Sequence, residues 1–499
     1  MLRLTATDFY TYFRPSKCEL RIYLKSIGMV EGPPGPFAEI LFKLGDRHEK
    51  EHLATFPEYA DLSKGTFEDR LIKTRHEIHK GTPILYQAVL KSEYELRKVA
   101  CEIVGEPDFL VRQGNDYIVC DSKLSRRINE KDHPEIFRQL EIYGWLYEKT
   151  SGKPPLALHV HSGSGDIVEV PYDGGAKALE YLEEIIALKI SKSEPFSPVG
   201  WSKCGGCPFH GYCWPKAEKE RDVALVHGVD QGLAFALKDQ GIHTINDLRN
   251  HYQEDTLSKL KRSWGKEMRK VGKRAESILL MAKAMSENKE FLIQRPSIPE
   301  HPNYVMFDLE GLPPQLDELE KIYLWGMQVF GKNQSDFLPA VAGFGEDGDR
   351  KGWNIFLENA KNVFNQYGDI PFVHWHHYER VKIDLYLERY GDRDGIAERV
   401  KKNLIDLLPI TQRSIALPLP SYSLKVVEKY VGYKRTLDEV AGDWAMAKYI
   451  EAVETQDLDA RNDIMTQILD YNREDLEATW AVLEWLKSKS LKLKVPKVI

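Results

Sequence analysis

Two sets of residues in this chain have the types and spacing to handle phosphate esters. The first is Asp108 in GEPDFLV with Asp121 and Lys123 in VCDSK. The second is Asp308 and Glu310 in VMFDLEG with Tyr471 and Asp475 in DYNRED. Hydrolysis of a phosphodiester needs a cation to neutralise the phosphoryl oxygens and to generate hydroxide near neutral pH. Hard oxygen ligands suit Mg2+ or Mn2+, so both sets are candidate sites for one of these ions. On adjacent strands of a hairpin, Asp108 and Asp121 can converge on one ion. Lys123 shares the face of Asp121, because side chains alternate along a strand. Its ammonium can orient water or stabilise developing charge. Asp308 and Glu310 also share a strand face, and two carboxylates following the apolar run 304–307 repel each other unless a cation joins them. Tyr471 and Asp475 lie one helical turn apart, which allows Asp475 to serve as a ligand and Tyr471 to position water.

The elements needed to place these residues are legible in outline. At 499 residues the chain exceeds one core, and 42% hydrophobic residues are ample for packed domains. A net charge of -7 gives no global polyanion-binding signature, so any nucleic-acid footprint must be local. No apolar run reaches membrane-spanning length, and the N-terminus shows no signal-peptide core. A cytosolic protein without membrane association is expected. In that compartment six cysteines point to metal or cluster ligation in preference to disulfides. No phosphate-loop motif is present in the sequence.

Residues 1–220 form the first block. Helices are predicted over 36–56 and 65–97, then two strands joined at Gly114-Asn115, a helix over PEIFRQLEIYGWLYEK and two further strands. Residues 221–292 read as helical throughout, a linker with a helical hairpin turning at Gly241. Within it, the stretch LSKLKRSWGKEMRKVGKR holds Lys259, Lys261, Arg262, Lys266, Arg269, Lys270, Lys273 and Arg274 against one acid, Glu267. Such an excess can track a phosphate backbone, or it can be the solvated face of a connecting helix. A proline-bearing linker leads to the last domain, 302–499, with strands at Asp308 and IYLWGMQVF and a helix over YNREDLEATWAVLEWLK. The predicted class is α/β.

The first set resembles the PD-(D/E)XK nucleases, specifically the RecB-like group of CRISPR-associated and AddB-type exonucleases. Pro107-Asp108 and Asp121-Ser122-Lys123 match the core motif. The resemblance implies a restriction-endonuclease-like fold. It also implies a metal-binding histidine at His48 in KLGDRHEKEHL, with His52 as fallback, and Gln139 and Tyr143 as site residues on the following helix. Iron–sulfur members of the group join one N-terminal and three C-terminal cysteines on a [4Fe–4S] cluster. Cys18, Cys204, Cys207 and Cys213 match that pattern, with Zn2+ as the alternative for the same thiolates. Cys101 and Cys120 lie in apolar strand contexts and are assigned to the core.

The second set resembles the RNase H-like DEDD exonucleases, in particular the YprB-like subgroup. The middle motif falls on His374–Glu379, which gives Glu379 the ligand role and leaves His374 where asparagine is typical. Asp406 and the segment around Lys425 also look YprB-like. Together the resemblances imply a metal-dependent exonuclease acting on single-stranded or end-containing DNA in repair, recombination or defence. RNA remains an open substrate. A scaffold with one degenerate site serving a helicase in trans is the competing reading. Tyr143, Trp145, Trp201, Trp214 and Trp375 are candidate base-stacking residues that serve equally well as core.

Overall fold

A computed structural model describes residues 1–313, 320–343, 345–436 and 442–491. The chain divides into two compact units, residues 1–197 with 203–212 and residues 198–202 with 213–499.

The first unit is built on a six-stranded sheet in the order 60–61, 84–86, 109–113, 116–123, 157–162, 167–170. Its centre is the expected hairpin, Phe109–Gln113 against Asp116–Lys123, turning at Gly114-Asn115 with Phe109 opposite Cys120. The second strand of that hairpin runs parallel to Ala157–Ser162. The helix Pro134–Ser151 opens on a proline in its first turn, where no amide partner is lost. It is buried along most of its length, because Ile136, Leu140, Ile142 and Leu146 join the same core as Leu110, Val119 and Leu158.

One expectation fails here. The helix predicted over 65–97 stops at Lys80 and the chain then forms strands at Ile84–Tyr86 and Leu90–Leu96. A Thr66–Asp69 capping box starts the helix, and Gly81 in the left-handed conformation ends it. Pro83 prevents its resumption.

The second unit contains a five-stranded sheet in the order 338–341, 321–331, 303–312, 372–374, 404–406. The first three strands are antiparallel, and the last two join Asn303–Leu312 in parallel. Helix Gly345–Tyr367 packs Trp353, Phe356 and Ala360 into the core with Phe307 and Trp325. Helix Leu458–Leu491 lies along the central strand and carries the DYNRED segment.

The reading of 221–292 as helical throughout is corrected. Helices at Gln231–Lys238, Ile245–His251, Glu254–Lys259 and Arg274–Glu287 flank an antiparallel hairpin, Lys261–Trp264 with Glu267–Lys270. A two-residue loop opening on Gly265 at φ +60° explains the reversal, since such turns place glycine at the left-handed position.

Candidate metal centres

In the first unit the hairpin brings Asp108 and Asp121 within hydrogen-bond reach of each other. Burial, followed by the charge of Asp121, raises the Asp108 pKa well above the ordinary carboxylate value. Asp108 is fixed by the Ser122 amide, which donates to Oδ2 at 2.7 Å, and by Gln87 Nε2 at 3.2 Å from Oδ1. Lys123 Nζ lies 2.5 Å from Asp121 Oδ2, a close ion pair. Burial opposes the Lys123 ammonium, but Asp121 and Asp108 outweigh it and raise its pKa. Gln139 Nε2 donates to the Tyr143 hydroxyl at 2.8 Å, so the i,i+4 pair shares a helix face as expected. Burial and then Asp121 hold the Tyr143 phenol neutral.

The sequence reading missed Glu49 and Gln87. Glu49 is among the charges that raise Asp108, and it accepts from Tyr86 at 2.8 Å and from Gln87 Nε2 at 2.6 Å. Gln87 therefore bridges Glu49 and Asp108, from a left-handed backbone with φ +56°. A non-glycine residue held there is strained, and such positions cluster at functional sites. Glu49 directly follows His48, so an acidic neighbour was visible in HEKEH. The bridging glutamine belongs to no motif. The His48 ring stacks on His161 at 5.0 Å, with Nε2 3.3 Å from the His161 carbonyl oxygen. His52 also stacks on His161, at 3.8 Å, and meets Ser122 Oγ at 2.8 Å. Burial, then His161 and His48, lower the His52 pKa to about 4.

In the second unit Asp308, Glu310 and Asp475 each present an oxygen, and these atoms lie within 4.8 Å of one another. Burial raises all three pKa values; the charge of Asp475 adds to the shift at Asp308 and Glu310, whereas Arg435 opposes the shift at Asp475. Three clustered carboxylates, two of them buried, fit a divalent cation, which would relieve their repulsion. Asn472 Nδ2 donates to Asp308 Oδ2 at 2.7 Å. It can do so because Gly326 pairs with Asp308 across the strands: a Cβ at 326 would fall 1.8 Å from Asn472 Oδ1. Arg435 binds Glu428 with two hydrogen bonds, at 2.6 and 2.7 Å, and reaches Asp475 Oδ1 at 2.5 Å. Tyr471 is buried beside them, its phenol held neutral first by burial and then by Asp475. Lys425 Nζ sits 4.8 Å from the centre of that ring, and burial lowers its pKa. Glu379 is buried and raised by desolvation, with Oε2 2.9 Å from His374 Nδ1. Asp406 accepts from the His376 and Leu408 amides, a helix-capping role. Asn472 adjoins a predicted residue in DYNRED, whereas Arg435 carries no local signal.

Residues 38–214 match the model of the PD-(D/E)XK nuclease superfamily, and residues 305–487 match that of the RNase_H superfamily. The chain thus joins two nuclease-superfamily domains. The expected α/β class and both superfamilies are borne out. Among solved structures, "Crystal structure of SSO0001" matches at 20% identity, covering 36% of this chain and 97% of that one with a TM-score of 0.20. No curated protein matches the chain.

The remaining predicted residues fall in several places. Cys18 caps helix Glu19–Ser26, its Sγ 3.3 Å from Ser197 Oγ. Cys204 and Cys207 share a turn closed by the Cys207 amide donating to the Cys204 carbonyl at 3.1 Å, and Cys213 lies in helix His210–Glu220. Cys101 and Cys120 are buried, as expected for core residues. Tyr143, Trp145 and Trp214 are buried, so base stacking is not open to them in this conformation, whereas Trp201 is exposed. Trp375 is half-buried, its Nε1 donating to the Tyr422 carbonyl. Among the basic residues, Arg262 is buried and ion-paired with Asp230 at 3.0 Å, so it is removed from the free cationic surface. Arg274 shares Asp230 at 3.3 Å, Lys259 pairs with Asp255, and Arg269 pairs with Glu267. Among the described residues no helix is long and apolar enough to cross a membrane.

Proposed function

We propose that this chain is a metal-dependent nuclease with two phosphodiesterase centres, trimming single-stranded or end-containing DNA in repair, recombination or defence. The observation that carries the reading is the gathering of half-buried Asp308 with buried Glu310 and Asp475, their oxygens within 4.8 Å of one another. A second acidic pair, Asp108 and Asp121, gathers beside Lys123 in the other nuclease-superfamily domain. Both sets consist of hard oxygen donors, which favours Mg2+ or Mn2+. Such an ion, when bound, supplies Lewis acidity toward the phosphoryl oxygens and a water acidified toward hydroxide.

The chain's own groups do the rest. Asp108 and Asp121 would hold the ion of the first centre, with Glu49 and His48 at its edge. The Lys123 ammonium stabilises negative charge building on the phosphate. Asp308, Glu310 and Asp475 would hold the second, with Glu379 as a fourth acid whose carboxylate His374 restrains. The Tyr471 hydroxyl, kept neutral, can donate to an attacking or leaving oxygen. Cys18, Cys204, Cys207 and Cys213 are assigned to a structural [4Fe–4S] cluster on their spacing.

Cleavage of end-labelled single-stranded DNA with Mg2+ or Mn2+ tests the reading in wild type, Asp121→Ala, Asp308→Ala and the double variant. Each single change should remove one set of products and the double should abolish cleavage. If neither single change alters the products, the two-centre reading is wrong. Release of mononucleotides, as opposed to internal fragments, marks the exonuclease mode. Anaerobically purified protein should absorb near 400 nm and contain iron; bound zinc in its place overturns the cluster assignment.

A further inference from the structure

The hairpin Lys261–Trp264/Glu267–Lys270 is built against its own electrostatics. Cross-strand partners share a face, so Lys261 opposes Lys270 and Arg262 opposes Arg269. Like charges directly opposite destabilise a sheet pair. The arginine pair is partly compensated, Arg262 by Asp230 and Arg269 by Glu267. Among the described residues neither Lys261 nor Lys270, both on the face opposite Trp264, forms an ion pair, and Lys266 lies in the turn beside that indole. A fold that retains such a row gains from a polyanion that neutralises it.

The tip carries a second, independent signal. Trp264, at the end of the first strand, is 47% exposed, and Met268, on the second, is 65% exposed. The Arg262 guanidinium lies 4.6 Å from the Trp264 ring centre and that of Arg269 5.9 Å, fixing the indole by cation–π contact. The hairpin itself is anchored. Its first strand packs on helix Gln231–Lys238, where Gly232 leaves room for the Ser263 carbonyl: a Cβ there would meet that oxygen at 2.0 Å. A rigid stem, an indole held in position at the tip and the ammonium group of Lys266 in the turn have complementary partners in a base and its adjoining phosphate.

We infer that this hairpin is a single-strand nucleic-acid binding element, in which Trp264 stacks on an unpaired base and Lys266, in the adjoining turn, holds a neighbouring phosphate. The inference rests on the reading that the chain acts on nucleic acid, and it specifies unpaired strands as the form recognised. A paired base hides its face in the duplex stack, so the indole contributes only to single strands, and with little sequence preference.

The test is fluorescence anisotropy of a labelled oligothymidylate, and of a blunt duplex of equal length, with full-length protein in EDTA so that cleavage cannot interfere. Trp264→Ala should weaken single-strand binding at least about fivefold, given the usual worth of one base–aromatic stack, and leave duplex binding unchanged. Lys266→Gln should reduce the slope of log affinity against log salt by about 0.7, as expected for one lost phosphate contact on a single strand. Unchanged melting temperatures establish that these exposed substitutions leave the fold intact. The inference is overturned if Trp264→Ala binds the oligonucleotide like wild type, or weakens single strand and duplex equally. It is also overturned if the variant loses affinity for phosphatidylserine vesicles while oligonucleotide binding stays intact. If wild type cleaves nothing yet Trp264→Ala still loses single-strand affinity, the nuclease reading fails and the hairpin inference stands. If wild type cleaves and its binding does not depend on Trp264, the hairpin inference fails and the nuclease reading stands.

Discussion

Gly326→Ala adds one methyl group at the back of the second centre, and the structure fixes its consequence. The new Cβ would lie 1.8 Å from Asn472 Oδ1 and 2.8 Å from its Cγ. Asn472 is fully buried, so it cannot swing into solvent. Gly326 is not among the positive-φ glycines, so the backbone itself accepts alanine. Either the core absorbs the overlap as packing strain, or the amide moves and the 2.7 Å hydrogen bond to Asp308 breaks. Overpacking and loss of a hydrogen bond to a charged group both cost about 1–3 kcal/mol. The melting transition of the second unit should therefore fall by roughly 2–10 °C. Because Asn472 orients a ligand, Mn2+ affinity at this centre should drop about 10–100-fold. Differential scanning fluorimetry with and without Mn2+ measures both effects. Asn472→Ala opens the space, so Gly326→Ala on that background should cost little more, a double-mutant coupling that identifies the contact. A Gly326→Ala protein with wild-type melting and Mn2+ affinity would refute the argument, as would strictly additive single and double variants.

Glu310→Gln removes one of three clustered carboxylates, one that is itself raised by burial and Asp475 and that raises Asp308. Without metal this variant should melt above wild type, and the metal-induced rise, about 2.7 kcal/mol at a hundredfold excess over Kd for an intact site, should vanish from the second unit. Glu141 lies in the first unit with Oε2 buried and unpartnered, and burial raises its pKa to about 7 despite Arg138 at 2.8 Å. The folded pKa exceeds the unfolded one, so its stabilising contribution is complete below about pH 4.5 and is lost as pH rises through about 7. Glu141→Gln should accordingly melt further above wild type at pH 8 than at pH 5. Equal differences at both pH values would contradict this.

The acidic motifs were legible because each depends on short spacing. Asp308-x-Glu310 shares a face on any strand, Gln139 and Tyr143 share one on any helix, and the turn at Gly114-Asn115 delivers Asp121 opposite Asp108. Local pattern misled where charge composition obscured a turn. LSKLKRSWGKEMRKVGKR reads as a basic helix until Trp264-Gly265-Lys266-Glu267 is recognised as a reversal. Over 65–97, helical periodicity outweighed the stop encoded by Gly81 and Pro83.

By itself the sequence determined which residues carry charge, which of them share a face, and that two acidic groups sit in apolar strands. Tertiary structure alone decided that Glu49, Gln87, Asn472 and Arg435 join those groups, that Arg262 is spent on Asp230, and that a glycine on a neighbouring strand makes room for Asn472. The reason is range. Helix and strand periodicities fix side-chain direction over a few residues, whereas a hydrogen bond between positions 472 and 308 exists only after the chain has closed the intervening 164 residues.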